Sequence, residues 1–339
     1  MKENRVASLR MRLENIPEPT IYKDSKGWEK FGNDNKYPEF LYDCYKNCSL
    51  LKSIIDGFCF YIYGNGIDIE DKVVNKRGEY FSSIIKRCIN DYLIFGSFSL
   101  QVLRNSFGKI NEIYYIDVRN IRLGNEENED YVYYSDWKKP NCKRIRYSLN
   151  NDKETTSIYY FKNYLSKEKY GLPLFSSSIK SIQTYIEIVN FHLQNVRNCF
   201  TPATLINFND GKPDDETMKN MQRAFENRFT GTDNASRIML TFSDSKENGV
   251  EVNKISDDSY DDKYLTLMDN VITNIYTSFR AQPILFGINP EKTSFNSIEY
   301  KESFSLFNNT VIKPLQKEIS KFFGNLGFDF SFYEFNLDF

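Results

Sequence analysis

Two stretches of the chain carry apolar residues at alternating gaps of three and four, the spacing of one face of an α-helix. In the first, Ile179, Ile182, Ile186, Val189, Leu193 and Val196 line up on a segment that opens at Tyr170-Gly171-Leu172-Pro173-Leu174 and closes at Pro202. The pattern predicts a helix of about 27 residues, some 40 Å long, with a heptad-like seam. In the second, Leu265, Met268, Ile272, Ile275 and Phe279 follow the run Asp257-Asp258-Ser259-Tyr260-Asp261-Asp262 and end before Pro283. Each seam fits either packing within the chain or packing against a neighbouring chain, and spacing alone does not separate the two.

The pattern changes elsewhere. Leu50–Tyr63 reads as a helix ended by Gly64-Asn65-Gly66, and Phe81, Ile84, Cys88, Tyr92 and Phe95 mark another, ended by Gly96. Alternation through Ser99–Arg104 and Ile110–Ile116, around a turn at Asn105–Gly108, predicts a hairpin. Further strands are expected at Tyr131–Tyr134, Arg144–Tyr147 and Ser157–Phe161, giving helices followed by a β meander. Between the seams, strand-like Ala203–Phe208 and Arg237–Thr241 flank a helix at Thr217–Phe229. A helix is expected from Ile298 to Phe323, kinked or restarted by Pro314, and Phe328–Phe339 as a final strand. Near the start, aromatics alternate with turn formers from Trp28 to Pro38, which reads as an arm docking through its aromatic side chains. Pro38 is expected to hold Tyr37 extended.

Composition narrows the function. With 339 residues the chain is long enough for one large domain or two modest ones. It has 24 Tyr and 28 Phe against 2 Trp, a density that suits broad packing surfaces. A net charge of −2 does not advertise tight nucleic-acid binding. The densest basic stretch, Lys138-Lys139 with Lys143, Arg144 and Arg146, reads as a solvated loop and strand edge. The six cysteines (Cys44, Cys48, Cys59, Cys88, Cys142 and Cys199) are scattered, and the lone His192 completes no zinc site with them. Reduced thiols are expected. Met1–Arg12 lacks the apolar core of a signal peptide, and no stretch reaches the ~18 apolar residues of a membrane span.

Catalytic signatures are missing: no P-loop, nucleophile elbow or His-Glu-x-x-His occurs. The best carboxylate cluster, Asp257, Asp258, Asp261 and Asp262, has the chemistry to hold Mg²⁺, but acidic residues also favour a helix's first turn. The second account is preferred, and no catalysis, metal or cofactor is expected.

Four segments in order resemble the portal proteins of tailed bacteriophages, in their compact siphovirus-like form. They are Trp28–Pro38, Tyr170–Leu174, Phe279-Arg280-Ala281-Gln282-Pro283-Ile284-Leu285-Phe286-Gly287 and Thr293-Ser294-Phe295-Asn296-Ser297-Ile298-Glu299. The resemblance runs from about Trp28 to Phe323. It implies an α+β portal-like fold with an N-terminal arm (1–47), a mixed wing (48–168), a first stem helix (169–200) and a small α/β clip (201–256). A second stem helix (257–282), a tunnel loop (283–297), a long helix kinked near Pro314 (298–325) and a C-terminal strand or tail (326–339) would follow, with little or no crown.

The same resemblance implies a non-enzymatic ring of about twelve subunits at one capsid vertex of a virion, assembled in the cytoplasm of a host bacterium. Partners implied are the terminase large subunit, adaptor and tail proteins, major capsid and scaffold proteins, and double-stranded DNA passing through weakly and without sequence preference, with no membrane involved. The stems would pack through Ile179, Ile182, Ile186, Val189, Leu193, Leu265, Met268, Ile272 and Ile275. Lys292, Thr293, Ser294, Phe295, Asn296 and Ser297 would face the DNA. Two rival readings are another head–tail protein such as an adaptor, and a metal-dependent nucleic-acid enzyme using Asp257–Asp262.

Overall fold

Helix α3 (Phe81–Phe95) runs into strand β3 (Ser97–Arg104) through one residue, Gly96, whose φ of +70° closes the helix in the left-handed region. The main sheet grows from that junction. The computed structural model describes residues 16–19, 21–23, 27–139, 142–165, 168–197, 204–208, 216–217, 219–220, 238–242, 260–287 and 297–335. They fall in two units, Met1–Ile182 with Thr273–Phe339, and Gln183–Ile272.

In the first unit, β3 lies between β4 (Ile110–Ile116) and β8 (Thr156–Lys162), and the sheet continues through β7 (Ile145–Leu149) and β6 (Tyr131–Tyr134) to β5 (Ile121–Leu123). All pairings are antiparallel except β7 with β8. This corrects the simple meander. The first four residues of β3 are all buried, so this strand needs a neighbour on each side, and β8 brings the buried trio Ser157, Ile158 and Tyr159 to fill the second place. The hairpin at Asn105–Gly108 forms as its sequence suggests. The Asn105 side chain accepts from the amides of Phe107 and Lys109, and Gly108 takes φ +77°.

Phenylalanine fills the space between α3, the sheet and the last helix, α7 (Lys313–Asn325). Phe81 meets Phe323 edge-on at 5.5 Å and Phe98 meets Phe322 at 5.0 Å, while Phe330 closes on Phe323 at 5.8 Å. Much of the phenylalanine among the described residues of this unit is therefore core. Because Phe328 and Phe330 turn inward to this cluster, the described part of the C-terminal segment, to Phe335, makes an isolated bridge, Phe332 to Ile67, instead of the expected strand.

The N-terminal segment docks on this unit. Strands β1 (Ile21–Lys23) and β2 (Glu29–Phe31) pair, Trp28 bridges to Gly124, and Phe31 stacks on Tyr170 at 4.3 Å. Asn35, at φ +63°, ties the turn together by accepting the Phe31 amide. It also meets Arg122, a side chain 1% exposed that donates to Asn35 Oδ1 (2.5 Å), Asn35 O (2.7 Å), Arg119 O and Ile121 O. Carbonyl oxygens rather than a paired carboxylate satisfy the N–H groups of this cation, and burial pushes its pKa down to about 10. Helix α1 (Tyr37–Asn47) then begins at Tyr37, with Pro38 in its first turn. The extended Tyr37 expected from its proline neighbour is thus corrected, since the ring at 0% exposure is held by burial against Phe31. Tyr37–Asn47 is core helix, not arm. Helix α2 (Ser49–Tyr63) follows.

Asp91 of α3 is 6% exposed and accepts from Tyr115 Oη at 2.8 Å. Burial, reinforced by nearby Asp117, raises its pKa well above the usual carboxylate range. The folded protein then holds a proton that the unfolded chain releases near pH 3.9, so the contribution of Asp91 to stability falls as pH rises from that value towards its raised folded pKa. Asp91→Asn is expected to flatten this dependence and to be at least as stable as the parent at pH 7. Guanidinium midpoints at pH 4.5, 6 and 7.5 test it; parallel lines for the two proteins would refute the assignment.

Between α3 and the first seam the chain crosses itself. Tyr170 donates to Glu29 O at 2.6 Å, Gly171 N donates to Tyr160 Oη, and Leu172 exchanges hydrogen bonds with the Asn163 side chain. A Cβ on Gly171 would sit 2.3 Å from Gly96 O, and one on Gly96 would sit 2.1 Å from Leu172 O. The seam helix does not start at Pro173, as expected, but at Ile179: Leu174–Ser178 is a 3₁₀ turn and α4 spans Ile179–Arg197. Three consecutive serines are poor helix formers because their hydroxyls compete for backbone groups. Ser178 Oγ donates instead to Asn274 O.

In the second unit, β9 (Thr204–Phe208) and β10 (Ile238–Phe242) pair in parallel, and helix α5 (Tyr260–Ser278) leads back to the first unit. The last helical run is α6 (Ser297–Phe307), a wide π turn over Asn308–Ile312, and α7 with Pro314 in its first turn. The wider turn accommodates a residue that offers no amide to the preceding carbonyls.

Candidate assembly and channel surfaces

The roots of the two seam helices are held by aromatic packing in the first unit. Phe279, just beyond α5, lies 5.8 Å from Phe175 and 5.4 Å from Phe58 of α2. Phe58 also stacks with Phe286 at 5.7 Å and meets Phe307 edge-on at 4.9 Å. Gly57 is required here, because a Cβ would stand 2.8 Å from the Phe286 ring.

The same cluster seats both ends of the segment predicted to face DNA. On one side, the 3₁₀ turn Pro283–Phe286 ends at Gly287 with φ +78°. On the other, α6 begins at Ser297. Tyr61 Oη donates to Leu285 O at 2.7 Å and lies 3.2 Å from Tyr300 Oη, while Ser303 Oγ donates to Gln282 Oε1 at 3.2 Å. Burial and the neighbouring Tyr300 hydroxyl raise the Tyr61 pKa, keeping it a neutral donor. Of the predicted channel residues, Ser297 is the exposed first residue of α6, and Lys292, Thr293, Ser294, Phe295 and Asn296 lie outside the described residues.

The predicted stem residues divide along each helix. Ile179 and Ile182 are buried near the root of α4, and Ile275 near the end of α5, where Val271, Tyr276 and Phe279 are buried too. Ile186, Met268 and Ile272 are half-buried. Further along, Val189 and Leu193 are each 44% exposed and Leu265 is 64% exposed. Leu267, which the three-and-four spacing passes over, is also exposed. One apolar pattern therefore contains two environments, core near the root and bare surface further out.

For the alternative metal chemistry, Asp257 and Asp258 lie outside the described residues, as do the side chains of Asp261 and Asp262. Among the described residues no group of three His, Cys, Asp or Glu side chains is placed to hold a metal ion, and His192 is exposed. Among them, too, no helix is long and apolar enough to cross a membrane.

The basic stretch is more than a solvated edge. Lys138 pairs with Glu39 and Lys139 with Asp136. Arg144 instead lies over Trp28 at 5.4 Å and Trp137 at 5.6 Å, and Arg146 over Tyr131 at 4.4 Å. The aromatic residues around the basic run were the available signal. Trp28 is remote in sequence, and its place beside Trp137, at 4.5 Å, depends on the docked N-terminal segment.

Comparison with known proteins agrees with this architecture. The chain is 24% identical over 242 residues to an uncharacterised protein of Rickettsia felis, a match covering 70% of this chain and 59% of the relative. It thus spans less than two thirds of the length of the curated relatives it matches. Among solved structures, it resembles a chain in the neck of a native gene transfer agent particle computed with C12 symmetry (TM-score 0.54, 14% identity, 87% of this chain and 83% of that one). It also resembles an HK97 family phage portal protein from Corynebacterium diphtheriae (TM-score 0.52, 11% identity, 83% of this chain and 87% of that one). These likenesses establish the shared α+β fold, with its six-stranded sheet and long helices. The family model for the phage portal protein matches residues 79–338, most of the sequence, and on that ground the chain belongs to the phage portal protein family.

Proposed function

We propose that this chain is the portal subunit of a tailed phage or phage-like particle, without catalytic activity of its own. Copies close into a ring of about twelve at one capsid vertex, and double-stranded DNA enters and leaves through the central channel. The observation that carries this is the pair of 19-residue helices, rooted together at Ser178 and Asn274, on which Val189, Leu193, Leu265 and Leu267 are bare in the single chain. Membership of the portal family and likeness to a neck chain of C12 symmetry support it.

In this reading Ile179–Arg197 and Tyr260–Ser278 are stems, and the residues between them, with the β9–β10 pair, are the clip that meets the terminase and later the adaptor. The sheet unit is the wing, facing capsid and scaffold proteins. The segment from Gly287 to Ser297 is the tunnel loop. Its sequence has one cation, Lys292, beside Glu291, with Thr293, Ser294, Asn296 and Ser297. Each neutralised phosphate adds affinity, so a polar loop with little net charge lets DNA slide.

Negative-stain images of the purified chain test the reading, with rings expected and a uniform monomer counting against it. A variant lacking Asn289–Asn296 should keep the ring and package less DNA in a reconstituted reaction. Unchanged packaging would remove the loop from the channel.

A further inference from the structure

We propose that the exposed cationic face around β7 is the docking site for the acidic β5–β6 turn of a second copy of this chain. The inference rests on the ring reading above and names a contact within it. Among the described residues, Lys143, Arg144 and Arg146 have no carboxylate within ion-pair distance. Lys143 and Arg146 are exposed. Arg144 and Arg146 are held over the Trp28, Trp137 and Tyr131 rings. Stacking fixes a guanidinium while leaving its N–H edge able to meet an anion.

The complementary group is on the same chain. Glu127, Glu129 and Asp130 are exposed carboxylates, also without an ion-pair partner among the described residues. Their turn is pinned: Asn125 N donates to Gly27 O, Asn128 N to Asn125 O, and Leu149 N to Asp130 O. A Cβ on Gly124 would fall 1.9 Å from Asn128 O, so the turn packs tightly on its own base. Both surfaces are ordered before contact, which lowers the entropy cost of joining them.

The acidic turn precedes Tyr131 at one end of β6, whereas Lys143 and Arg144 lie beyond the other end, where Tyr134 faces Ile145, and Arg146, opposite Tyr133, reaches back over the Tyr131 ring between them. About 10 Å of strand separates those ends. Cationic and acidic surfaces displaced along one element suit a heterologous contact, repeated from copy to copy until the ring closes. The net charge of −2 favours this occupant over a nucleic acid.

Charge reversal tests it on the full-length protein, by mass photometry at low and high salt. Lys143→Glu with Arg146→Glu, and separately Glu127→Lys with Glu129→Lys, are expected to shift rings to monomers. Unchanged melting would show that the fold survives exposed substitutions. A chain carrying all four changes is expected to regain rings, and wild-type rings should loosen as salt rises. Rings in both double variants, or no recovery with all four changes, would overturn the contact while leaving the portal reading intact. A monomeric wild type would instead sink the ring reading. If the Lys143→Glu, Arg146→Glu variant keeps its rings but loses binding to a labelled DNA duplex, the face belongs to nucleic acid and the inference fails.

Discussion

Gly96→Ala is expected to leave little folded protein. Two costs add at this residue. A side chain at φ +70° carries a backbone penalty of about 1–2 kcal/mol. The new Cβ would also lie 2.1 Å from Leu172 O and 2.2 Å from its carbonyl carbon, both backbone atoms that cannot rotate away. Relieving the overlap means moving Tyr170–Leu172, which would break the Asn163 hydrogen bonds and shift Tyr170 off Phe31. Losses of more than about 4 kcal/mol are exceptional for one substitution, and they consume much of a domain's ~5–15 kcal/mol. Gly108→Ala is the control. Its φ is +77° but nothing lies within 4 Å of the added carbon, so it should cost only the backbone penalty. Equal melting temperatures for the two variants would mean that the crossing of chain segments is not as described.

That crossing also shows where sequence reasoning stops. Gly96 is legible as a helix terminator because apolar spacing ends there, but nothing nearby in sequence tells that Gly171 must pass against it. Likewise Trp28–Pro38 is legible as a docking segment from its aromatics, whereas its dependence on buried Arg122 is not. A cation satisfied by carbonyls of Asn35, Arg119 and Ile121 leaves no charge pattern to read. Local periodicity found α2, α3, the two seam helices, the last helical run and most strands, since each depends on near neighbours, but it missed α1, which was read as part of the arm. It misplaced β8, because strand order depends on which partner buries β3 best, and the start of α4, because Ser176–Ser178 lie in a 3₁₀ turn and the Ser178 hydroxyl donates to Asn274 O. The seams were visible from their spacing alone. Their division into core and bare portions was not, for the same residues at the same spacing serve both.

That division yields the other large expected effect. Val189→Asp with Leu193→Asp, or Leu265→Asp with Leu267→Asp, should abolish rings while barely changing the stability of the single chain. Surface substitutions usually stay within about 0.5 kcal/mol, and these four side chains are already 42–64% exposed. In a ring, by contrast, fully burying each aliphatic side chain would contribute about 1.5–3 kcal/mol, and a carboxylate there would be desolvated without a partner. The loss recurs at every subunit contact. Ile182→Asp and Ile275→Asp, at 0% exposure, provide the opposite signature, with loss of folding before any question of assembly arises. Size-exclusion chromatography with light scattering, beside thermal melts, separates the two outcomes. Normal rings from both outer double variants would mean that neighbouring subunits do not meet through the outer helix faces, and the stems would need a different contact surface.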